Sequence, residues 1–163
     1  MDKKINSCIS FYKEQVNKSD IQKTYMFLLK YVMQVKASFE KAFSKEYSCG
    51  NVSPGYLDFS YFPFYNEYLR DKKLRFGIVL NHVEMRFELW LMGHNKETQK
   101  RYWDLLKTSP WNQDHTPKPQ YAELEIVLID NPDFENIDAL TADIINGAVE
   151  EADKVIAYLK KLD

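Results

Sequence analysis

The chain has 163 residues, of which 45% are hydrophobic, 28% charged and 15% aromatic, and its formal net charge is −2. The hydrophobic and charged fractions are typical of a single globular domain, here residues 1–163, whereas the aromatic fraction is high. The small net charge argues against a nucleic-acid partner, and no apolar run approaches the roughly 18 to 20 residues that span a bilayer. Two cysteines, Cys8 and Cys49, are too few for a disulfide framework, so we expect a cytoplasmic protein with free thiols.

Two amphipathic helices are predicted in the first part of the chain. Apolar residues recur with the three-four spacing of a helix across residues 3–17. The same spacing resumes after Ser19, a candidate N-cap, and continues to about Lys45. The stretch "CGNVSPG" then combines Gly, Asn, Ser and Pro, which predicts a loop.

Three strands are predicted next. "YLDFSYF" alternates and should form a strand that ends at Pro63. Residues 74–80 and 85–91 also have a period of two, which predicts a hairpin. A two-residue turn at His82 and Val83 would pair residue 80 with 85 and Arg75 with Trp90, whereas a four-residue turn keeps the same phase and stays open.

The remaining elements are two helices and a strand. Asn95 is a candidate cap for a helix over residues 96–108, and a proline-rich loop, "TSPWNQDHTPKPQ", follows it. "AELEIVLID" predicts a strand covered on both sides, and the last apolar stripe predicts one helix that continues through Gly147. The order α-α-β-β-β-α-β-α indicates an α+β domain, with a mostly antiparallel sheet of about four strands packed against helices.

The histidines do not indicate a metal site. His82 and Glu84 form the HxE pair of zinc deaminases, but the PCxxC pair that completes such a site is missing. We interpret His82 as a turn residue and His94 as part of a helix entry. His115, next to Asp114 in the proline-rich loop, is kept as a candidate ligand contact. Since the sequence also lacks a P-loop, GxGxxG or GxSxG motif, we expect no cofactor.

Three acidic residues define the alternative of a metal-dependent nuclease. Asp58, Glu88 and Glu125 lie on separate predicted strands and would be its catalytic carboxylates if they converge. The nuclease pattern also requires a lysine two residues after an acid, but Glu88 is followed by Leu89 and Trp90. The interpretation therefore survives only in degenerate form.

Aromatic residues near predicted loops indicate a groove instead. The alternation of a strand cannot bury every ring of "SYFPFYNEY", so some rings should line a surface site. We place this site between the hairpin's polar face, the helix with "RYW" and the proline-rich loop. Its candidate ligand-binding residues are Arg75, Arg86, Glu88, Trp90, Arg101, Trp103, Trp111 and His115.

Three segments carry a resemblance that covers nearly the whole chain: "GYLDFSYFPF", "KKLRFGIVLNHVEMRFELWLMGHNKETQKRYW" and "NPDFENIDALT". They resemble a family of small bacterial cytosolic proteins known only as a domain of unknown function. That resemblance implies no activity, cofactor or catalytic residue. By order of elements alone, the chain is also similar to degenerate restriction-endonuclease-like domains, which is an analogy at the level of fold.

The sequence therefore favours a non-enzymatic binding or interaction module that takes a small molecule or a protein in an aromatic-lined groove. The metal-dependent nuclease is the first alternative. A structural scaffold is the second, in which a homodimer would form through the acidic C-terminal helix or an uncovered sheet edge.

Overall fold

The computed structural model describes residues 4–113 and 117–163. Within these residues the chain forms α1 (Ile5–Lys18), α2 (Ile21–Phe43), β1 (Ser48–Cys49), β2 (Phe59–Tyr65), α3 (Glu67–Asp71), β3 (Leu74–Asn81), β4 (Arg86–Gly93), α4 (Lys96–Leu106), β5 (Leu124–Ile129) and α5 (Ile137–Leu162). The predicted α+β class and the predicted element order are confirmed. The short β1 and α3 are additions, so the described sheet has five strands.

The chain divides into two compact units, one up to Tyr31 and one from Val32 onward, and α2 contributes to both. The single domain predicted for residues 1–163 stays a prediction. In the first unit, α1 has no buried residue, and Ile5, Ile9 and Phe11 are 59%, 55% and 63% exposed. No helix among the described residues is long and apolar enough to cross a membrane.

The sheet belongs to the second unit and is an antiparallel meander in the order β1-β2-β3-β4-β5. The prediction that Pro63 ends a strand is wrong, since Pro63 lies inside β2, paired with Gly77. The carbonyl of Pro63 accepts a hydrogen bond from Gly50 N at 2.9 Å. The missing N–H of the proline faces the same side, next to the two-residue β1, so no bond to β3 is lost.

The hairpin of β3 and β4 has a four-residue turn over residues 82–85. Its register pairs Leu80 with Phe87 and Arg75 with Met92, so the predicted two-residue turn is wrong and the longer turn in the same phase is right. The side-chain oxygen of Asn81 accepts hydrogen bonds from Val83 N and Glu84 N, both at 3.1 Å. These bonds stabilise the longer turn, which Met85 completes with a φ of 47°.

One face of the sheet carries the main hydrophobic core. Phe39, in the part of α2 that belongs to the second unit, lies 4.7 Å from Phe64 and 6.0 Å from Phe62, between ring centroids. The core face of the strands consists of fully buried residues: Phe62, Phe64, Phe76, Ile78, Leu80, Phe87, Leu89 and Leu91. These alternate with residues that point to the opposite face, where the candidate site lies.

The predicted ends of the sheet and helices are partly corrected. The prediction that β5 is covered on both sides is wrong, because β5 is an edge strand and its Val127 is 46% exposed. Asn95 caps α4 as predicted, since its side chain accepts from Thr98 N at 2.8 Å. Helix α5 continues through Gly147, as predicted.

Candidate functional site

The face of the sheet opposite the main core holds an open cavity of about 410 Å³, which we call the sheet-face groove. Its floor is a small apolar cluster of Val79, Trp90, Met92 and Ala122, with Phe59 and Tyr61 packed against it. Gly77 leaves room for the Met92 side chain in this floor, because a Cβ atom there would lie 2.8 Å from the Met92 methyl group. The groove is lined by Ser53, Gly55, Tyr56, Asp58, Phe59, Tyr61, Arg75, Trp90, Met92, Gly93, His94, Gln99 and Tyr121.

Three aromatic rings form one wall of the groove. The Phe59 ring meets Trp90 edge-on at 4.7 Å and Tyr121 at 5.9 Å, between centroids. The rings of Trp90 and Tyr121 are nearly parallel, 6.4 Å apart with 15° between their planes. Trp90 is buried, while Tyr121 is 49% exposed. The wall therefore presents an aromatic surface to a molecule in the groove.

Glu88 holds the Trp90 ring in place. Its side chain is 1% exposed, and its Oε1 accepts a hydrogen bond from Trp90 Nε1 at 2.8 Å. Its Oε2 accepts from Arg86 Nε at 2.7 Å and from Asn81 Nδ2 at 3.0 Å. Both carboxylate oxygens are thus occupied by donors of the chain itself, which makes Glu88 a positioning residue for the wall.

Arg75 is the cationic side chain that lines the groove. Its Nε atom is buried and has no hydrogen-bond partner among the described residues. None of the ion pairs found between described residues includes Arg75. His94 lines the groove as well, and its pKa is lowered by partial burial and by the charges of Arg75 and Lys73. An unpaired buried guanidinium nitrogen is costly, so this end of the groove favours an anion.

The loop before β2 forms the other lip of the groove. Asp58 Oδ1 accepts hydrogen bonds from Tyr56 N at 2.8 Å and Phe59 N at 2.7 Å, and these bonds hold the pKa of Asp58 below its usual value. Gly55 takes a φ of 72°, where a Cβ atom would meet the Phe59 carbonyl oxygen at 2.2 Å. The Asp58 carboxylate is therefore used to shape the loop.

His82 ties that lip to the hairpin turn. Its backbone N–H donates to the Asp58 carbonyl at 2.8 Å, and its Nε2 lies 2.8 Å from the Ser60 hydroxyl. The Ser60 hydroxyl donates to the Pro54 carbonyl at 2.7 Å and is fully buried. Burial lowers the pKa of His82. This Ser-His-Asp grouping is therefore a structural link, since its hydroxyl is neither accessible nor free to attack a substrate.

Glu123 is a buried acid that supports the strand end next to the groove. Its Oε2 accepts from Gly93 N at 2.7 Å, and Lys118 Nζ lies 3.8 Å from its Oε1. Burial raises the pKa of Glu123 to about 6. A Cβ atom at Gly93 would lie 2.9 Å from Gln99 N, so the glycine also lets α4 approach the strand.

The structure separates the predicted ligand-binding residues. Arg75 and Trp90 line the groove, and Arg86 and Glu88 lie directly behind Trp90. The other members on described residues lie away from it: the Trp111 ring packs on Tyr158 at 5.3 Å, Arg101 lies over Tyr102 at 5.6 Å, and Trp103 is half-buried on α4. His115 lies outside the described residues.

The three acids predicted for the nuclease alternative do not converge. Among the described residues, no group of three His, Cys, Asp or Glu side chains is placed to hold one metal ion. Asp58 lies in the loop before β2, Glu88 is saturated by its three donors, and Glu125 is paired with Trp90 across β5 and β4. The geometry therefore gives the nuclease hypothesis no support.

A second open cavity, of about 570 Å³, lies between the end of α2 and α3. Some of its polar groups have partners: Tyr47 donates to Asp153 at 3.2 Å, and Arg70 lies over the Tyr65 ring at 5.2 Å. Tyr68 donates to Asp163 at 2.9 Å. None of the buried side-chain atoms without a partner in the described part of the chain belongs to this cavity, whereas Arg75 Nε belongs to a residue of the sheet-face groove.

Several groove residues were missed from the sequence: Phe59, Met92, His94, Gln99 and Tyr121, whereas Tyr61 belongs to "SYFPFYNEY", some of whose rings were expected to line a surface site. Phe59 and Tyr61 were assigned to the alternating apolar face of a strand, which is also the pattern of a groove wall. The common signal was available in the hairpin, where Val79, Trp90 and Met92 add apolar side chains to the mainly polar second face. Tyr121 could not be found, because nothing local links it to Phe59.

The comparisons with known proteins identify one family. No curated protein and no solved structure matches the chain. One family model matches residues 5–159, and its description is a domain of unknown function, DUF7000. Since this match covers most of the 163 residues, the chain belongs to the DUF7000 family.

Proposed function

We propose that this protein is a non-catalytic binding domain whose ligand occupies the sheet-face groove. The observation that carries the proposal is that Arg75, whose buried Nε has no partner among the described residues, lines an open cavity that also has an aromatic wall. Small-molecule sites are typically concave, largely apolar and roughly 300 to 1,000 Å³ in volume, with a few polar groups that fix orientation. The groove has this size and this division of groups.

The side chains around the groove favour binding over catalysis. Asp58 has a lowered pKa and is engaged by two backbone N–H groups, which makes it a weak proton acceptor. The Ser60 hydroxyl is buried and bonded to a carbonyl. His94 is the imidazole of the lining, and a single imidazole without a bonded nucleophile is a weak basis for acyl or phosphoryl transfer.

An NMR titration tests this proposal. Indole, phenylacetate and phenyl phosphate would each be added to the 15N-labelled protein, and at least one should shift the amide signals of β2, β3 and β4 around the groove. Tyr121→Ala, which removes the exposed ring of the wall, should weaken that binding, while Tyr12→Ala on α1 is the matched control. If none of the three probes shifts groove signals at millimolar concentration, the proposal is wrong.

A dimeric scaffold is the second candidate, because β5 is the last strand of the sheet and its Val127 is 46% exposed. Edge strands can pair with a second copy, and a lysine on such a strand opposes this pairing. Sedimentation at high concentration should show a dimer for the unmodified protein and a monomer for Val127→Lys. A monomer in both cases contradicts this candidate.

We also infer a cytoplasmic location. Neither Cys8 nor Cys49 forms a disulfide among the described residues, as expected for a reducing compartment. Cell fractionation with a tagged full-length protein checks this inference.

A further inference from the structure

We propose that the ligand of the sheet-face groove is a planar aromatic molecule that carries one anionic group, a carboxylate or a phosphate. Arg75 would bind the anionic group, and the aromatic wall of Phe59, Trp90 and Tyr121 would contact the ring. This inference rests on the function proposed above and specifies the chemistry of the ligand.

The charges of the groove are separated along its length. Arg75 lies near the start of β3, opposite Met92, and His94 follows the end of β4 on the same side. Asp58 lies at the other end of β3, where its carbonyl accepts from His82 N. Arg75 and His82 are seven positions apart, which is roughly 23 Å along an extended strand. An anionic group is therefore attracted to one end of the groove and kept away from the other.

The nature of Arg75 favours a carboxylate or phosphate. A guanidinium is planar and presents its donors in a fork that matches two oxygens of such groups. None of the ion pairs between described residues includes Arg75, so an anion at its guanidinium would break no ion pair of the described chain. A neutral ligand would supply no counter-charge to this guanidinium.

The aromatic wall lies next to this anion position. Trp90 pairs with Gly77, two residues from Arg75 along β3. The Glu88 carboxylate fixes the Trp90 ring, and the half-exposed Tyr121 ring lies nearly parallel to it. Fixed rings offer a flat surface to a planar ligand at little entropic cost, which favours an aromatic ring over a flexible chain.

Four probes separate the two parts of this inference. Phenylacetate has both an aromatic ring and a carboxylate, phenylacetamide is its neutral analogue, and cyclohexylacetate is an anion without a planar ring. Phenyl phosphate replaces the carboxylate by a phosphate. Isothermal titration and NMR mapping should show that phenylacetate or phenyl phosphate binds in the groove about tenfold more tightly than phenylacetamide and cyclohexylacetate. The proposal is supported whichever of phenylacetate and phenyl phosphate binds more tightly.

Variants of Arg75 assign the anion contact. Arg75→Gln should weaken the aromatic anion about tenfold and leave phenylacetamide unchanged. Arg75→Lys keeps the charge but loses the planar fork, so its affinity for the aromatic anion should lie between those of the unmodified protein and Arg75→Gln. This variant also tests the contact if Arg75→Gln fails to fold. Arg101→Gln on α4, an exposed arginine outside the groove, is the matched control and should have no effect.

The results that overturn the inference are distinct from those that overturn the proposed function. If phenylacetamide binds in the groove as tightly as phenylacetate, the ligand does not require an anionic group. If cyclohexylacetate binds as tightly as phenylacetate, the ligand does not require an aromatic ring. An aromatic anion that binds both Arg75 variants as tightly as it binds the unmodified protein refutes the role of Arg75. In these three cases the groove remains a binding site. If none of the four probes perturbs the groove, both proposals fail.

Discussion

Replacing Glu88 by glutamine should destabilise the protein and release the Trp90 ring. The two oxygens of Glu88 accept from three donors, namely Arg86 Nε, Asn81 Nδ2 and Trp90 Nε1. A glutamine amide has one oxygen and one NH2 group. If its oxygen keeps the bonds to Arg86 and Asn81, its NH2 group faces the Trp90 N–H, and two donors then meet in a buried position.

The expected loss follows from these contacts. A buried donor left without an acceptor costs about 1 to 3 kcal/mol, and removing the negative charge weakens the hydrogen bond from Arg86. The free energy of unfolding should therefore fall by about 3 kcal/mol. For a chain of this size each kcal/mol lowers Tm by about 2 to 4 °C, so Tm should fall by roughly 6 to 12 °C.

Urea denaturation measures this loss, and the indole N–H signal of Trp90 reports the hydrogen bond directly. Glu84→Gln, on the exposed turn of the same hairpin, is the control and should change stability by less than about 0.5 kcal/mol. In a Trp90→Phe background, which lacks the indole donor, Glu88→Gln should cost about 1 to 2 kcal/mol less. A loss under about 0.5 kcal/mol with an unmoved indole signal would refute the positioning role of Glu88.

Three further predictions concern titrating groups. The pKa of Glu123 is raised from 4.5 to about 6 in the folded state, so the free energy of unfolding should fall by about 2 kcal/mol through its ionisation as pH rises from 4.5 to 7.5. In urea denaturation, the stability of Glu123→Gln relative to the unmodified protein should increase by that amount over this range. No increase would contradict the raised pKa. The pKa of His82 is lowered by burial, so on acidification the unfolded chain binds a proton at this residue before the folded chain does. The free energy of unfolding should therefore fall as pH drops below about 6.5. His82→Gln should reduce this fall, and an unchanged dependence of stability on pH would contradict the prediction. The pKa of His94 is lowered partly by Arg75, so an aromatic anion bound at Arg75 should raise it; an NMR titration of the imidazole with and without phenylacetate measures this shift, and its absence would place the anion elsewhere.

The fold was predictable from the sequence because its elements have strong local patterns. The spacing of apolar residues in α2 and α5 matches a helix that buries one side, and the period of two in β3 and β4 matches a strand. The phase of the hairpin was also determined, since a one-residue slip would turn every apolar residue of one strand away from the core. Local pattern thus specified the faces of the elements.

The details that were wrong depend on single polar contacts or on neighbours far away in the chain. The apolar pattern is the same for a two-residue and a four-residue turn, and the Asn81 side chain decides between them. Pro63 is tolerated inside β2 because its missing N–H faces the short β1, which the sequence did not reveal. Similarly, the exposure of β5 follows from its place at the edge of the sheet.

The candidate site was predictable only where it belongs to the hairpin. Arg75 and Trp90 were found because they share the polar face of two adjacent strands. Phe59 and Tyr121 complete the wall from segments about sixty residues apart, and they meet because β2 and the segment before β5 flank the hairpin. The aromatic residues of α4 and the proline-rich loop looked equally suitable, but Trp111 packs against α5.

The two faces of β3 and β4 explain why a groove exists on this sheet at all. One face carries an unbroken set of large apolar side chains and requires helices to cover it. The other face carries Arg75, Gly77 and Glu88 among its apolar residues, so it has fewer large apolar side chains than the core face. A loop and the Tyr121 ring cover it only in part. The Glu88 hydrogen bonds stabilise that face in place of close packing. They satisfy every donor that surrounds Glu88, whereas the buried Nε of Arg75 is left without a partner among the described residues. This difference between two charged residues on one face is the physical reason to expect the ligand at Arg75.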